Sequence, residues 1–447
     1  MFTNWGMILR LAVPSIVSFA AATLTGTINL MMVGPMGALV IAAVGICNII
    51  MYNAWAACSG IGHTVNYLVA QNFGAGDMKK GVERTYIALY LCLALIAVIL
   101  AAGWFGSEGI LRLMGSSEEL VAAGKEYLEL RFYAMAFSVL NFVLFGFLRG
   151  IGDTRSPMAL TILGNAAMIV FTYGLTYGHL GFPELGLPGA GLAVLIGEAI
   201  CSIGSVYIVF FRLHDKYRTR TRVKLDRREA RLIAGESGKL GMQEFAMSLA
   251  MFVFTMFVTR LGTEALAANE IALNVMALGF MPAFAFASTA TILVGREVGK
   301  HRPDLARRYG TDTAVLGSIC LLVLGAVEFV FAVPIARLYS QDPEVYALAA
   351  DLIRISAFLQ LFDGLLNFYA GGLRGIGDTT FLLGTSLVLS WVFFVPLAYL
   401  LTFVWGFGSA GAWISLYAFI AAFGLAVMYR FYRTDWAAVR IKEAEGR

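Results

Sequence analysis

The sequence predicts an all-α integral membrane protein of about twelve transmembrane helices, arranged as two tandem six-helix bundles with a central cleft. Three observations predict it: too few charges for a soluble surface, a dozen apolar runs of membrane-spanning length, and an internal repeat with one constant offset. Of 447 residues, 59% are hydrophobic and only 14% are charged, with a mean hydropathy of +0.76. A soluble domain usually carries about 25% charged residues. Lipid must therefore cover much of this surface. The runs are too long, and alternate too little, for a β-barrel.

The runs fall in order along the chain. A spanning helix needs about 20 apolar residues, which places helices roughly at 8–33, 37–70, 85–105, 123–148, 157–177, 188–211, 235–260, 264–295, 311–336, 346–373, 381–404 and 409–431. The start, Met1 to Trp5, lacks the basic residues and small-residue cleavage site of a signal peptide, so the first run reads as a helix that stays. Basic residues crowd the even-numbered connections: Lys79, Lys80 and Arg84; Arg149 and Arg155; nine between 212 and 231; Arg296, Lys300, Arg302, Arg307 and Arg308; and Arg374. The odd ones hold only Arg112, Lys125, Arg260 and Arg337. The positive-inside rule then puts the even connections and both termini in the cytoplasm. The expected organisation is an N-terminal six-helix lobe over 1–211, a cytoplasmic linker over 212–234, a C-terminal lobe over 235–431 and a cytoplasmic tail over 432–447. The basic run reads as a topology signal that meets anionic lipid.

Several function classes drop out. The cysteines, Cys47, Cys58, Cys92, Cys201 and Cys320, lie in apolar runs with no close pair, which argues against disulfides and thiolate metal sites. The histidines are scattered and form no metal-binding spacing. No nucleotide-binding motif or nucleophile elbow is present. A net charge of +4 is too small to suggest a nucleic-acid partner. No enzyme activity, metal or cofactor is expected.

The repeat is the most specific feature. Leu148-Arg149-Gly150-Ile151-Gly152-Asp153-Thr154 recurs as Leu373-Arg374-Gly375-Ile376-Gly377-Asp378-Thr379, an offset of 374 − 149 = 225. The same offset relates Gly37, Ala42 and Ala43 to Gly262, Ala267 and Ala268, and Leu68, Val69 and Gly74 to Leu293, Val294 and Gly299. Six helices is an even number, so both copies share one orientation and are related by an axis along the membrane normal. In each turn the glycines permit a sharp reversal. Asp153 or Thr154, and Asp378 or Thr379, can cap the next helix. Arg149 and Arg374 can satisfy the carbonyls that end the previous one.

These motifs carry a resemblance. Met31-Met32-Val33-Gly34, the segment from Leu68 to Asp77, both Leu-Arg-Gly-Ile-Gly-Asp-Thr turns and the segment from Leu261 to Asn274 together resemble the MATE (multidrug and toxic compound extrusion) transporters, over nearly the whole chain. The resemblance implies a secondary active antiporter that exports small amphipathic, cationic compounds in exchange for H⁺ or Na⁺, with substrate bound between the lobes. The departures are informative. Many members carry an Asp in helix 1 where this chain has Asn29. One branch has an Asn and an Asp in helix 5, where Met168 and Thr172 stand here. Another has a Glu in helix 7 near Met247, with Glu244 about one turn earlier in this chain. Pro14 has Lys239 as its repeat partner. The helix 10 Asp is kept as Asp363, so the coupling acid is expected in the second half.

Depth supports that choice without the family. Asp363 precedes Arg374 by 374 − 363 = 11 residues, roughly 16 Å of helix and near the midplane of a hydrocarbon core about 30 Å thick. An Asp there costs roughly 3 kcal/mol to insert, so it should face protein or water and serve a function. Glu270, near the outer end of helix 8, can attract a cation or simply be solvated. Asn274 lies one turn along the same face. Glu244 can pair with nearby Lys239. Glu198 and Glu328 read as polar helix-packing contacts. The expected partners are a small-molecule substrate and membrane lipid, with no nucleic acid. The chain is expected to be a monomer in the cell (inner) membrane. The alternative is a flippase or exporter of a lipid-linked substrate; the basic central cavity such proteins need is not evident, because the basic residues sit in loops.

Overall fold

The computed structural model describes residues 4–445. Among the described residues there is no strand, and twelve helices are long and apolar enough to cross a membrane. They are α1 (Trp5–Met36), α2 (Ala38–Gly74), α3 (Met78–Leu113), α4 (Glu118–Gly150), α5 (Arg155–Tyr177), α6 (Leu187–Arg212), α7 (Arg227–Thr259), α8 (Thr263–Gly299), α9 (Pro303–Val330), α10 (Pro343–Gly375), α11 (Thr379–Val404) and α12 (Gly408–Arg433).

The chain divides into two compact units. The first bundle holds Val17–Phe73 and Asp77–Gly241; the second holds Met242–Lys442, the start of α1 as far as Ile16, and Gly74–Gly76. The expected boundary between lobes at 211 therefore shifts. The divisions fall inside α1 and α7 at Val17 and Met242, which are 242 − 17 = 225 residues apart. Each bundle takes its opening half-helix from the other half of the chain. The second bundle holds such a contact: Asn4 Nδ2, one residue before α1, donates to Asp312 Oδ2 on α9 at 2.9 Å.

The repeat survives in packing. In the first bundle α4 packs against α2, α3 and α6, and α5 against α6. In the second, α10 packs against α8, α9 and α12, and α11 against α12. Equivalent glycines set the equivalent crossings. A Cβ on Gly146 would stand 2.6 Å from the Gly62 carbonyl oxygen, and one on Gly371 would stand 2.3 Å from that of Ala287. Both pairs obey the 225-residue offset, so backbone approaches backbone where α4 meets α2 and where α10 meets α8.

The repeated turns also match. Gly152 and Gly377 adopt φ of 88° and 81°, a left-handed conformation that costs other residues about 1–2 kcal/mol. Asp153 N donates to Leu148 O and Gly152 N to Arg149 O; Asp378 N donates to Leu373 O and Gly377 N to Arg374 O. This is the Schellman arrangement, in which the main chain itself satisfies the last carbonyls.

The linker expected over 212–234 is shorter and ordered. A short helix spans His214–Tyr217, and α7 already begins at Arg227. Tyr86 and Tyr90 on α3 donate to the carbonyls of Thr219 and Val223 at 2.5 and 2.7 Å. Arg84, placed in a loop by charge alone, is a buried residue of α3 whose Nε meets Glu229 Oε2 at 2.9 Å. Tyr67 on α2 donates to Glu236 Oε2 at 2.7 Å.

Candidate functional site

In the second bundle the fold gathers three ionisable residues that the sequence left apart. Asp363 lies on α10, 8% exposed. Glu244 on α7 is partly buried and close enough to Asp363 and Arg374 for direct electrostatic interaction. Arg374 is buried at the end of α10. The expected Glu244–Lys239 pair does not form. Lys239 Nζ instead lies 3.5 Å from Glu236 Oε1 within the first bundle. Among the described residues, neither the Asp363 nor the Glu244 carboxylate accepts a hydrogen bond. Asn367, one turn beyond Asp363, donates only to its main-chain carbonyl at 2.8 Å. Two acids against one arginine leave one negative charge uncompensated in a poorly hydrated place. A proton or a monovalent cation would balance it.

Glu270 and Asn274 are both exposed on α8. Asn274 Nδ2 donates to the Glu270 main-chain carbonyl at 2.9 Å, so it is engaged with its own helix. No hydrogen bond or ion pair among the described residues joins either side chain to Asp363. Glu328 accepts from Gln360 Nε2 at 2.6 Å, the packing contact its position suggested.

Asp153 takes the capping role read in the sequence, whereas Asp378 and Arg149 do not take theirs. Asp153 accepts from Ser156 N and Oγ at 3.0 and 2.6 Å, which caps α5. Asp378 makes no such bond; its carboxylate accepts from Arg430 Nε of α12 at 2.8 Å. Arg149 was expected to satisfy the carbonyls ending α4, but the Schellman turn already does so. Its guanidinium instead lies over the rings of Phe19, Phe142 and Phe145, 5.7–5.9 Å from their centroids.

Sequence reasoning missed the first bundle's site. A cavity of about 730 Å³ opens among α1, α2, α4, α5 and α6. Its walls include Phe19, Met51, Tyr52, Trp55, Met135 and Phe142, and its polar groups include Arg131, Ser138, Asn141, Arg149, Asn165 and Glu198. Glu198 accepts from Asn141 Nδ2 at 3.0 Å, and Ser202 Oγ donates to Asn141 Oδ1 at 2.7 Å. Arg131 Nη1 donates to Asn48 Oδ1 and to Tyr127 OH, both at 2.8 Å. Glu198 is thus a cavity carboxylate held by a polar relay as well as a packing residue. The repeat offset was a usable signal for the rest. Subtracting 225 from Glu244, Asp363 and Arg374 gives Phe19, Ser138 and Arg149, and all three line this cavity.

Two repeats of six membrane helices, with unpartnered acids in one and an aromatic-walled cavity in the other, define a multi-pass membrane transporter. The particular family follows from comparison with known proteins. The MatE family model matches this chain twice, over residues 14–174 and 240–400, and the chain belongs to that family. It is 30% identical over 448 residues to the "Multidrug resistance protein PmpM" of Pseudomonas aeruginosa, covering 98% of this chain and 93% of that one. It is also 30% identical to the "Probable multidrug resistance protein NorM" of the same organism, covering 97% and 90%. Among solved structures, an outward-facing multidrug resistance MATE family transporter of the MOP superfamily superposes with a TM-score of 0.87 at 22% identity, covering 95% of each chain. At that identity the likeness speaks for the fold.

Proposed function

We propose that this protein is a secondary active antiporter of the cell (inner) membrane that exports small amphipathic cations in exchange for H⁺ or Na⁺. The observation that carries the reading is the Asp363–Glu244–Arg374 group, with its one uncompensated negative charge and no hydrogen bond to either carboxylate. Such a group binds a cation or proton and releases it when water access changes, which alternating access requires. The names of the relatives, all multidrug resistance proteins, support export of diverse compounds. Flexible methionines and aromatic faces suit substrates of varied shape.

The test is transport by the purified protein in proteoliposomes, with H⁺ and Na⁺ gradients imposed separately and tetraphenylphosphonium as probe. One gradient should drive uphill movement of the probe, and failure of both would sink the reading. The charge asymmetry of the loops supports a cytoplasmic position for both termini and the 213–226 segment. Arg220→Cys, in a background without the five native cysteines, should be labelled by an impermeant thiol reagent only after the cells are opened.

A further inference from the structure

We propose that Arg149 is an anion subsite, and that the first-bundle cavity binds amphipathic aromatic compounds through a carboxylate. This deepens the export reading and rests on it: it extends the substrate class from cations to aromatic acids.

The argument begins with one buried charge. Arg149 is 6% exposed, lines the cavity, and makes no hydrogen bond or ion pair among the described residues. Its Nε is wholly buried without a partner. Burying a guanidinium without a counter-charge is costly. Phe19, Phe142 and Phe145 offset part of that cost through their ring faces, but at 5.7–5.9 Å they sit at the edge of the effective range of about 6 Å. Ring faces also leave the five N–H donors of a guanidinium largely unmet.

The repeat shows what is missing. The equivalent arginine, Arg374, has Glu244 within electrostatic reach. The position equivalent to Glu244 is Phe19, and the position equivalent to Asp363 is Ser138. The first bundle keeps the arginine and has lost both acids. Its cavity carries Arg131, Arg149 and Glu198, a net positive charge, whereas the second-bundle group is net negative. Glu198 is already held by Asn141. A ligand carboxylate fits the vacant role: it meets the planar fork of Arg149 bidentately, while a flat aromatic body rests among Phe19, Phe142 and Trp55.

The experiment measures binding of radiolabelled 2-naphthoate and its neutral isostere 2-naphthamide to the full-length protein in lipid nanodiscs. The parent should bind naphthoate saturably and at least about tenfold tighter than the amide, as a charge-assisted contact predicts. Arg149→Met should remove that preference, bringing acid and amide to similar affinity, and Arg149→Lys should keep part of it. Phe19→Glu, which supplies the acid that Arg374 already has, should abolish naphthoate binding. Equal affinity of the parent for the two compounds overturns the proposal without need of any variant. So does an Arg149→Met protein that still prefers the acid. Uphill tetraphenylphosphonium transport is read in parallel. If that transport fails while naphthoate is preferred, the export reading falls and the subsite stands; transport without the preference removes the subsite alone.

Discussion

The two bundles share one backbone plan and differ in what they present inside it. Their turns close with the same hydrogen bonds, the same glycines take positive φ, and the same helix pairs cross at matched glycines. Yet Phe19, Ser138 and Arg149 stand where Glu244, Asp363 and Arg374 stand in the other copy. Residues that the main chain requires are fixed by sterics, and a Cβ or a wrong φ is penalised in either copy. Side chains facing a cavity carry no such local penalty. There a duplicated plan can acquire an acid-rich group in one copy and an aromatic, arginine-bearing one in the other.

The largest expected effect breaks the comparison at its acidic end. Asp363→Asn should abolish gradient-driven export at matched expression. Each coupled charge is worth about 2.3 kcal/mol at 100 mV, so its loss removes roughly fiftyfold of accumulation. Uphill transport equal to the parent would move coupling to the first bundle. Next in size, Glu244→Phe gives the second bundle the residue pair of the first. Transport should fall by about tenfold or more, because Arg374 then loses a nearby acid, while naphthoate should keep its single site, because Asp363 remains to balance Arg374. A second naphthoate site would show that one missing acid is enough to make an anion subsite.

The shared plan is tested by Gly146→Ala and Gly371→Ala. Each methyl group meets a main-chain carbonyl oxygen that cannot swing aside, so each should cost about 1–3 kcal/mol, seen as a lower thermal midpoint of the detergent-solubilised protein. One loss without the other would mean that the crossings are not equivalent. The smallest effects should come from Asn29→Ala and Thr172→Ala. Asn29 Oδ1 and Thr172 Oγ1 are buried without partners, so truncation breaks no hydrogen bond, and uphill transport should stay within about twofold of the parent.

Much of this was legible in the sequence. Twelve apolar runs gave the helices to within a few residues at most ends, although α3 begins at Met78 rather than near 85 and α9 at Pro303 rather than near 311, because charged end turns are helical without being apolar. The repeated heptapeptide announced both sharp turns, though not that the main chain would close them. Asp363 was singled out by the resemblance and by its depth. What escaped were pairings. Lys239 is three residues from Glu236, which shares its helix face, and five from Glu244, which does not, so helix spacing already favoured the pair that forms. Glu198 stood among small residues and read as packing, because nothing local reveals that Asn141 and a cavity lie opposite. Arg149 read as a cap because its motif is a turn motif.

The sequence by itself determined the class of solvent, the number of helices, the duplication and the turns. Each depends on short-range terms: apolar transfer along one helix, glycine sterics and main-chain hydrogen bonds within about six residues. Tertiary structure decided the rest. It exchanged the opening halves of α1 and α7 between the bundles, set Glu244 within electrostatic reach of Asp363 and Arg374, and left Arg149 among three phenylalanines with no acid. The physical reason is that the stability of a buried charge depends on what stands opposite it, on helices many residues away along the chain, and no local pattern encodes that neighbour.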